Sequence, residues 1–265
     1  MILTLICSNV FAEAINYSFQ LNSSELEWLS NRIYSNECNS KFDCLTYWNE
    51  GEEFPSLGIG HFIWFHSEQN SVFEETFPQL IEFMLDRNAA VPSWLAENSD
   101  LNSPWDSRET FYANYDSADM LELRHFLAQQ KMLQVEFIVS RFNQTLSQIV
   151  LDFPASDRPK VDQTLRTIIT DSNPMGLYAL IDYAHFKGTG LSKRETYNGQ
   201  GWGLRQVLNY MLKQPASLNG FVESAEHILK RRVENAPAER DEQQWLPGWR
   251  KRLQTYLSTQ QKLLR

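Results

Sequence analysis

Glu37, and then Glu50, Glu52 and Glu53 around Gly51, put carboxylates on both sides of a short cysteine-bearing stretch of this 265-residue chain. Leu26, Leu29, Ile33 and Glu37 recur at spacings of three and four, which places Glu37 on the apolar face at the C-terminal end of a helix. Partial burial and the negative end of the helix dipole both push such a carboxyl towards its protonated form. A group held in that way suits proton donation to a leaving oxygen; the other reading is a solvated last-turn residue. The glutamates of the turn supply a second carboxylate on an opposed element. Hydrolysis of a glycosidic bond with inversion uses such a pair, about 6.5–9.5 Å apart, with room for a water between them.

Other chemistries find less to work with. The five histidines (61, 66, 125, 185 and 227) are scattered and form no metal-ligand motif, so a metal site is not expected. Gly199-Gln200-Gly201-Trp202-Gly203 lacks the Lys-Ser/Thr of a phosphate loop, and no Gly-x-Ser-x-Gly elbow is present. No cofactor is implied. A net charge of −9 argues against a nucleic-acid partner, because phosphate affinity rests on clustered Lys and Arg. No stretch of 18 apolar residues exists to span a membrane. Residues 1–12 have the apolar run and the small residues Val10 and Ala12 of an export signal but lack its basic start; the other reading is a short buried segment. Beyond Cys7 the chain holds only Cys38 and Cys44, with five residues between them. In an oxidising compartment they would close a short loop, and otherwise they remain two thiols. Together with the signal-like start this favours a disulfide and a periplasmic or secreted protein.

The elements that must position the carboxylates are mostly helical. Ser23 and Ser24 are candidate N-caps for the helix that ends at Glu37. Leu45–Trp48 has strand composition, Asn49-Glu50-Gly51 is a turn signal, and 57–65 carries Gly58 and Gly60 before an aromatic strand. A hairpin or three-stranded sheet beside the helix is therefore expected. Downstream, helices are predicted over 73–84, 116–150 as one long central axis, from the Asp157-Arg158-Pro159 start to 169, 177–186, 204–212, 224–233 and 250–264, with a loop or short turns over 92–105. The order implies an α+β fold, predominantly helical. The aromatic share of 13%, with 8 Trp, reads mainly as core, with some rings free to line a sugar groove.

Glu37, Glu50 and Ser56-Leu57-Gly58-Ile59-Gly60-His61 resemble the active-site hairpin of phage-type lysozymes, which cleave peptidoglycan glycan strands. In that family a catalytic Glu ends the first helix. An Asp stands eight residues before a Gly-x-Gly-His turn and a Thr two before it; here Glu50 and Ser56 occupy those positions. Ala179–Gly190 is similar to the family's helical-lobe segment, and Ile228–Glu234 to its basic C-terminal helix. About a third of the chain takes part. The resemblance implies a lysozyme-like fold, one domain over 13–265 with a β-containing lobe (13–105) and a helical lobe (106–265). It implies hydrolysis of β-1,4 bonds by Glu37 as acid, Glu50 as base and Ser56 holding the water. The chain departs from the family in having Glu for Asp and 21 residues from Glu37 to Gly58, with the cysteine loop as the insertion. Its acidic balance and the extra residues between 66 and 150 are further departures. Two alternatives stand beside this one. A non-catalytic peptidoglycan-binding or envelope protein could keep the same fold. A lytic transglycosylase is suggested by Glu195-Thr-Tyr-Asn198 and Gly203-Leu-Arg-Gln206, which are similar to that family's Glu and its Gly-Leu-Met-Gln helix start. Trp202 and Gln206 are then candidate sugar contacts, and Glu195 either the acid or a surface charge.

Overall fold

The computed structural model describes residues 16–67, 73–98 and 100–257. The signal-like segment over 1–12 and the end of the expected last helix lie outside them. Among the described residues the fold is predominantly helical with two small antiparallel sheets, an α+β chain.

Helix α1 (Ser23–Cys38) is capped by Asn22, not by Ser23 or Ser24. The Asn22 side chain accepts from the N–H groups of Ser24 and Glu25, both at 3.0 Å, and the Glu25 carboxylate reaches back to the Asn22 N–H at 2.9 Å. This reciprocal box satisfies amides that either serine alone would leave open. Asn39, in the left-handed conformation at φ 49°, ends the helix. A 3-10 turn over Phe42–Leu45 leads into β1 (Thr46–Tyr47), so the first part of the expected strand is helical. β2 (Ser56–Leu57) and β3 (Phe62–Ile63) complete an antiparallel sheet in the order β1-β2-β3, with Thr46 opposite Leu57 and Ser56 opposite Ile63.

Helix α2 (Phe77–Leu85) starts four residues later than the sequence spacing predicts, and the expected loop over 92–105 contains the short α3 (Ser93–Ala96). After α4 (Arg108–Ala113) comes the main departure. The single axis expected over 116–150 is two helices, α5 (Ala118–Gln129) and α6 (Lys131–Leu151). Neither Gly nor Pro marks the break. At the break Gln134 is fully buried: its amide donates to the Leu127 carbonyl at 2.7 Å and its oxygen accepts from the Ile59 N–H at 2.8 Å. A side chain thus replaces the helical partner of one carbonyl and ties the joint to the glycine turn before β3.

Helices α7 (Arg158–Asp171) and α8 (Met175–Lys187) precede a hairpin absent from the sequence reading, β4 (Thr196–Tyr197) and β5 (Gln200–Gly201). Its turn is Asn198-Gly199, both at positive φ (50° and 71°), as the two-residue hairpin turn requires. Then follow α9 (Leu204–Met211), α10 (Leu218–Asn235), two 3-10 turns and α11 (Leu246–Gln254). α10, capped by Ser217, begins six residues before the expected start, and α11 four before. Buried side chains from Tyr17 to Tyr256 form one continuous core, in which α1 and α2 lie on α6, α7 on α8, and α10 on both α9 and α11. Trp48, Trp64, Trp105 and Trp202 are buried in it, whereas Trp245 is exposed, so core is the main use of the rings. No helix among the described residues is long and apolar enough to cross a membrane.

Candidate active site

A cleft of about 270 Å³ lies between α1, the glycine turn before β3, α6 and α8. Its lining is mainly apolar, with Ile59, Phe62, Ile138 and Ile181 among the residues, and Glu37, Arg141, Asp182 and His185 are its ionisable side chains. Local sequence explains how the turn comes to face α1. Gly58 has φ 68°, and a Cβ there would lie 2.2 Å from the Gln134 side-chain oxygen, so only glycine allows that close approach. Cys38 and Cys44 form the expected disulfide, with Cα atoms 5.4 Å apart, and pin the end of α1 to the 3-10 turn. His61 Nε2 lies 3.7 Å from Cys44 Sγ. These three side chains are close enough to share an ion, but sulfurs bonded to each other offer no thiolate, and the cluster is structural.

Glu37 is one of two acids lining the cleft, at 15% side-chain exposure against 4% for Asp182. Its Oε1 accepts from Arg252 Nη2 at 2.9 Å, and its Oε2 lies 3.6 Å from His185 Nε2. Arg252 is itself fixed. Its Nε and Nη2 donate to the two oxygens of Asp182 at 2.8 and 2.7 Å, and Asp182 also accepts from Tyr256 Oη and, at 3.1 Å, from Asn36 Nδ2. Burial alone raises the Glu37 pKa, but the nearby His185, and then Arg252, outweigh it and bring the carboxyl down to about 2. His185 is raised in turn, first by its contact with the Glu37 carboxylate. His61 is lowered by burial, against the pull of Glu37. The protonated Glu37 expected from helix position is therefore reversed. Burial was readable along one helix; the cationic partners come from α8 and α11.

The other sequence-predicted residues are not among those lining this cleft. Glu50 is exposed on the turn after β1, and Glu52, half-buried, lies near enough to His61 to favour its charged form. Ser56 is half-buried in β2 between Tyr47 and Ile63. Trp202 is buried under the Arg232 guanidinium, 4.0 Å from its ring centroid, and its carbonyl accepts from Tyr183 Oη. Gln206 donates to the Gly190 carbonyl at 3.1 Å, and its oxygen is buried with no protein partner among the described residues. Glu195 is exposed beside Gly188. Glu37 and the cysteine pair thus come together, and the remaining five residues do not line the cleft that Glu37 faces.

Asp182, His185 and Arg252 were not singled out from sequence. Asp182 and His185 stand three residues apart, which puts both on one face of a helix, and that spacing was a usable signal. Arg252, 215 residues beyond Glu37 in the chain, had none. Compared with known protein families, curated proteins and solved structures, the chain matches none of them.

Proposed function

We propose that this chain is a lysozyme-like glycoside hydrolase acting on β-1,4 bonds of peptidoglycan glycan strands, outside the cytoplasm. The observation that carries the reading is the position of Glu37: a half-buried carboxylate on the last turn of α1, opening on a cleft whose other wall is the Gly58–His61 turn. Support comes also from the order of the motifs along the chain and from the disulfide, which is compatible with an oxidising compartment. In this reading the cleft takes the glycan strand and Glu37 belongs to the acid side of the reaction, while Glu50 on the exposed turn after β1 and Ser56 in β2, neither of which lines the cleft, supply the water side only when substrate brings the hairpin against it. The test is a mass-spectrometric digest of purified sacculi. Wild type releases muropeptides with reducing ends, and Glu37→Gln releases none while its circular dichroism is unchanged. A Glu37→Gln variant that digests like wild type removes Glu37 from the reaction. Anhydro products that depend on Glu195 would instead identify a transglycosylase.

A second reading, a non-catalytic wall-binding protein, draws on two observations. Glu37 is tied into an ion-pair network, and Glu50 is exposed outside the cleft lining. Such a protein binds sacculi, releases nothing, and is indifferent to Glu37→Gln and Glu50→Gln.

A further inference from the structure

We propose that Cys38, Cys44 and His61 form a metal site of the reduced chain, which takes one zinc-class divalent cation through two thiolates and an imidazole in place of the disulfide. Such a site is independent of the hydrolase reading above.

The disulfide accounts for the two cysteines but not for the third group. The ligand atoms of Cys38, Cys44 and His61 lie within 4.8 Å of one another. His61 Nε2 stands 3.7 Å from Cys44 Sγ, and among the described residues the imidazole makes no hydrogen bond to an oxygen. A tetrahedral cation about 2.3 Å from sulfur and about 2.0–2.1 Å from nitrogen keeps those two ligands about 3.6 Å apart. The imidazole is therefore already at coordination range of one sulfur. The two sulfurs must separate to about 3.8 Å, which side-chain rotation provides. Backbone hydrogen bonds hold the loop without the sulfur bond. The N–H groups of Asn39, Lys41 and Cys44 donate to the carbonyls of Ser35, Cys38 and Lys41 at 3.0, 2.9 and 3.2 Å. Asn39 and Ser40, both at positive φ (49° and 55°), reverse the chain between the cysteines.

Access and charge agree with this assignment. Cys38 is buried, while Cys44 and His61 are half-buried and reachable from solvent. Thiolate and imidazole select a borderline-soft ion over magnesium or calcium, which require oxygen ligands. Three protein ligands leave a fourth position for water. Two thiolates, a neutral imidazole and a divalent cation sum to zero charge, as does the oxidised cluster. The exchange therefore adds no net charge beside Glu37, whose carbonyl oxygen lies 3.7 Å from Cys44 Sγ. The redox step balances as well. A dithiol reductant gives two electrons and two protons to the Cys38–Cys44 bond and becomes a disulfide itself; the cation then displaces the two thiol protons to solvent. A chain not yet oxidised meets the metal directly.

The experiment uses the full chain carrying Cys7→Ser, so that Cys38 and Cys44 supply its only thiols. It is reduced with a phosphine, freed of reductant without air, and titrated with Co2+ and then Zn2+. The expected result is one equivalent of Co2+ with thiolate-to-metal charge-transfer absorption and the visible bands of a tetrahedral ion, displaced by one equivalent of Zn2+. The oxidised chain binds none, and His61→Ala weakens binding at least tenfold. The proposal is overturned by the absence of stoichiometric binding, by equal binding to the oxidised chain, or by an affinity that ignores His61→Ala. Circular dichroism melts separate loss of fold from loss of site. Zinc is expected to raise the melting temperature of the reduced chain and leave that of the oxidised chain unchanged; a reduced chain that zinc neither binds nor stabilises refutes the site. None of these readouts uses muropeptide release, so the metal site and the hydrolase reading stand or fall separately.

Discussion

Asp182 accepts from Arg252 through two hydrogen bonds, from Tyr256 and from Asn36, on a side chain that is 4% exposed. Asp182→Asn keeps the shape, removes the charge, and turns an NH2 towards a set of donors. Removing one partner of a buried ion pair costs about 3–5 kcal/mol, because the charge left behind has no water to replace it. Here Glu37 still meets one Arg252 nitrogen, which favours the lower end, about 3 kcal/mol. The assay is urea unfolding followed by tryptophan fluorescence. With a slope of about 3 kcal/mol per molar, the midpoint falls by about 1 M. Adding Arg252→Met removes the orphaned cation, so the double variant loses less than the sum of the singles, with a coupling of about 1–3 kcal/mol. A loss below about 1 kcal/mol for Asp182→Asn, or strict additivity, would refute the argument that this network is a buried and mutually dependent unit.

Two further predictions concern the same frame. Gln134→Leu leaves the Ile59 N–H and the Leu127 carbonyl buried and unsatisfied, and is expected to destabilise by about 2–5 kcal/mol in thermal melts; a neutral effect would mean that water or a shifted backbone satisfies both groups. Acid should also act through Glu37. Its folded pKa of about 2 lies below the ordinary 4.5, so its contribution is present above about pH 4.5 and is lost as pH falls towards 2. That contribution is on the order of 3 kcal/mol. Stability measured between pH 5 and 2 should therefore fall less steeply in Glu37→Gln than in wild type. His185 has the opposite sign: its raised pKa gives stabilisation that is complete below about 6.5 and is lost as pH rises through the folded value.

What the sequence made legible was local. Three- and four-residue spacing put Glu37 on the buried face of α1, glycine spacing marked the turn opposite it, and two cysteines in a nearly cysteine-free chain identified the disulfide. What stayed hidden depended on partners distant in the chain. The break between α5 and α6 carries no helix-breaking residue; there the Gln134 side chain bonds to Leu127 and to Ile59, 75 residues upstream. The charge state of Glu37 was read in the wrong direction for the same reason. Helix position and burial both raise its pKa, but the guanidinium and imidazole that lower it arrive from residues 252 and 185. The Trp202 and Gln206 loop was visible as a glycine-rich turn, but not that the Trp202 ring lies under Arg232 or that Gln206 donates to the Gly190 carbonyl.

The two bonds of Gln134 have a mechanical consequence. One amide group holds both the carbonyl at the α5–α6 joint and the N–H of Ile59 in the cleft wall. The wall and the joint are therefore parts of a single lever. Any change in the angle between those helices moves the turn that faces Glu37, and any widening of the cleft on that side must bend the joint or break the Ile59 bond. The width of the groove is set from beneath, by a residue that no ligand in the cleft would touch.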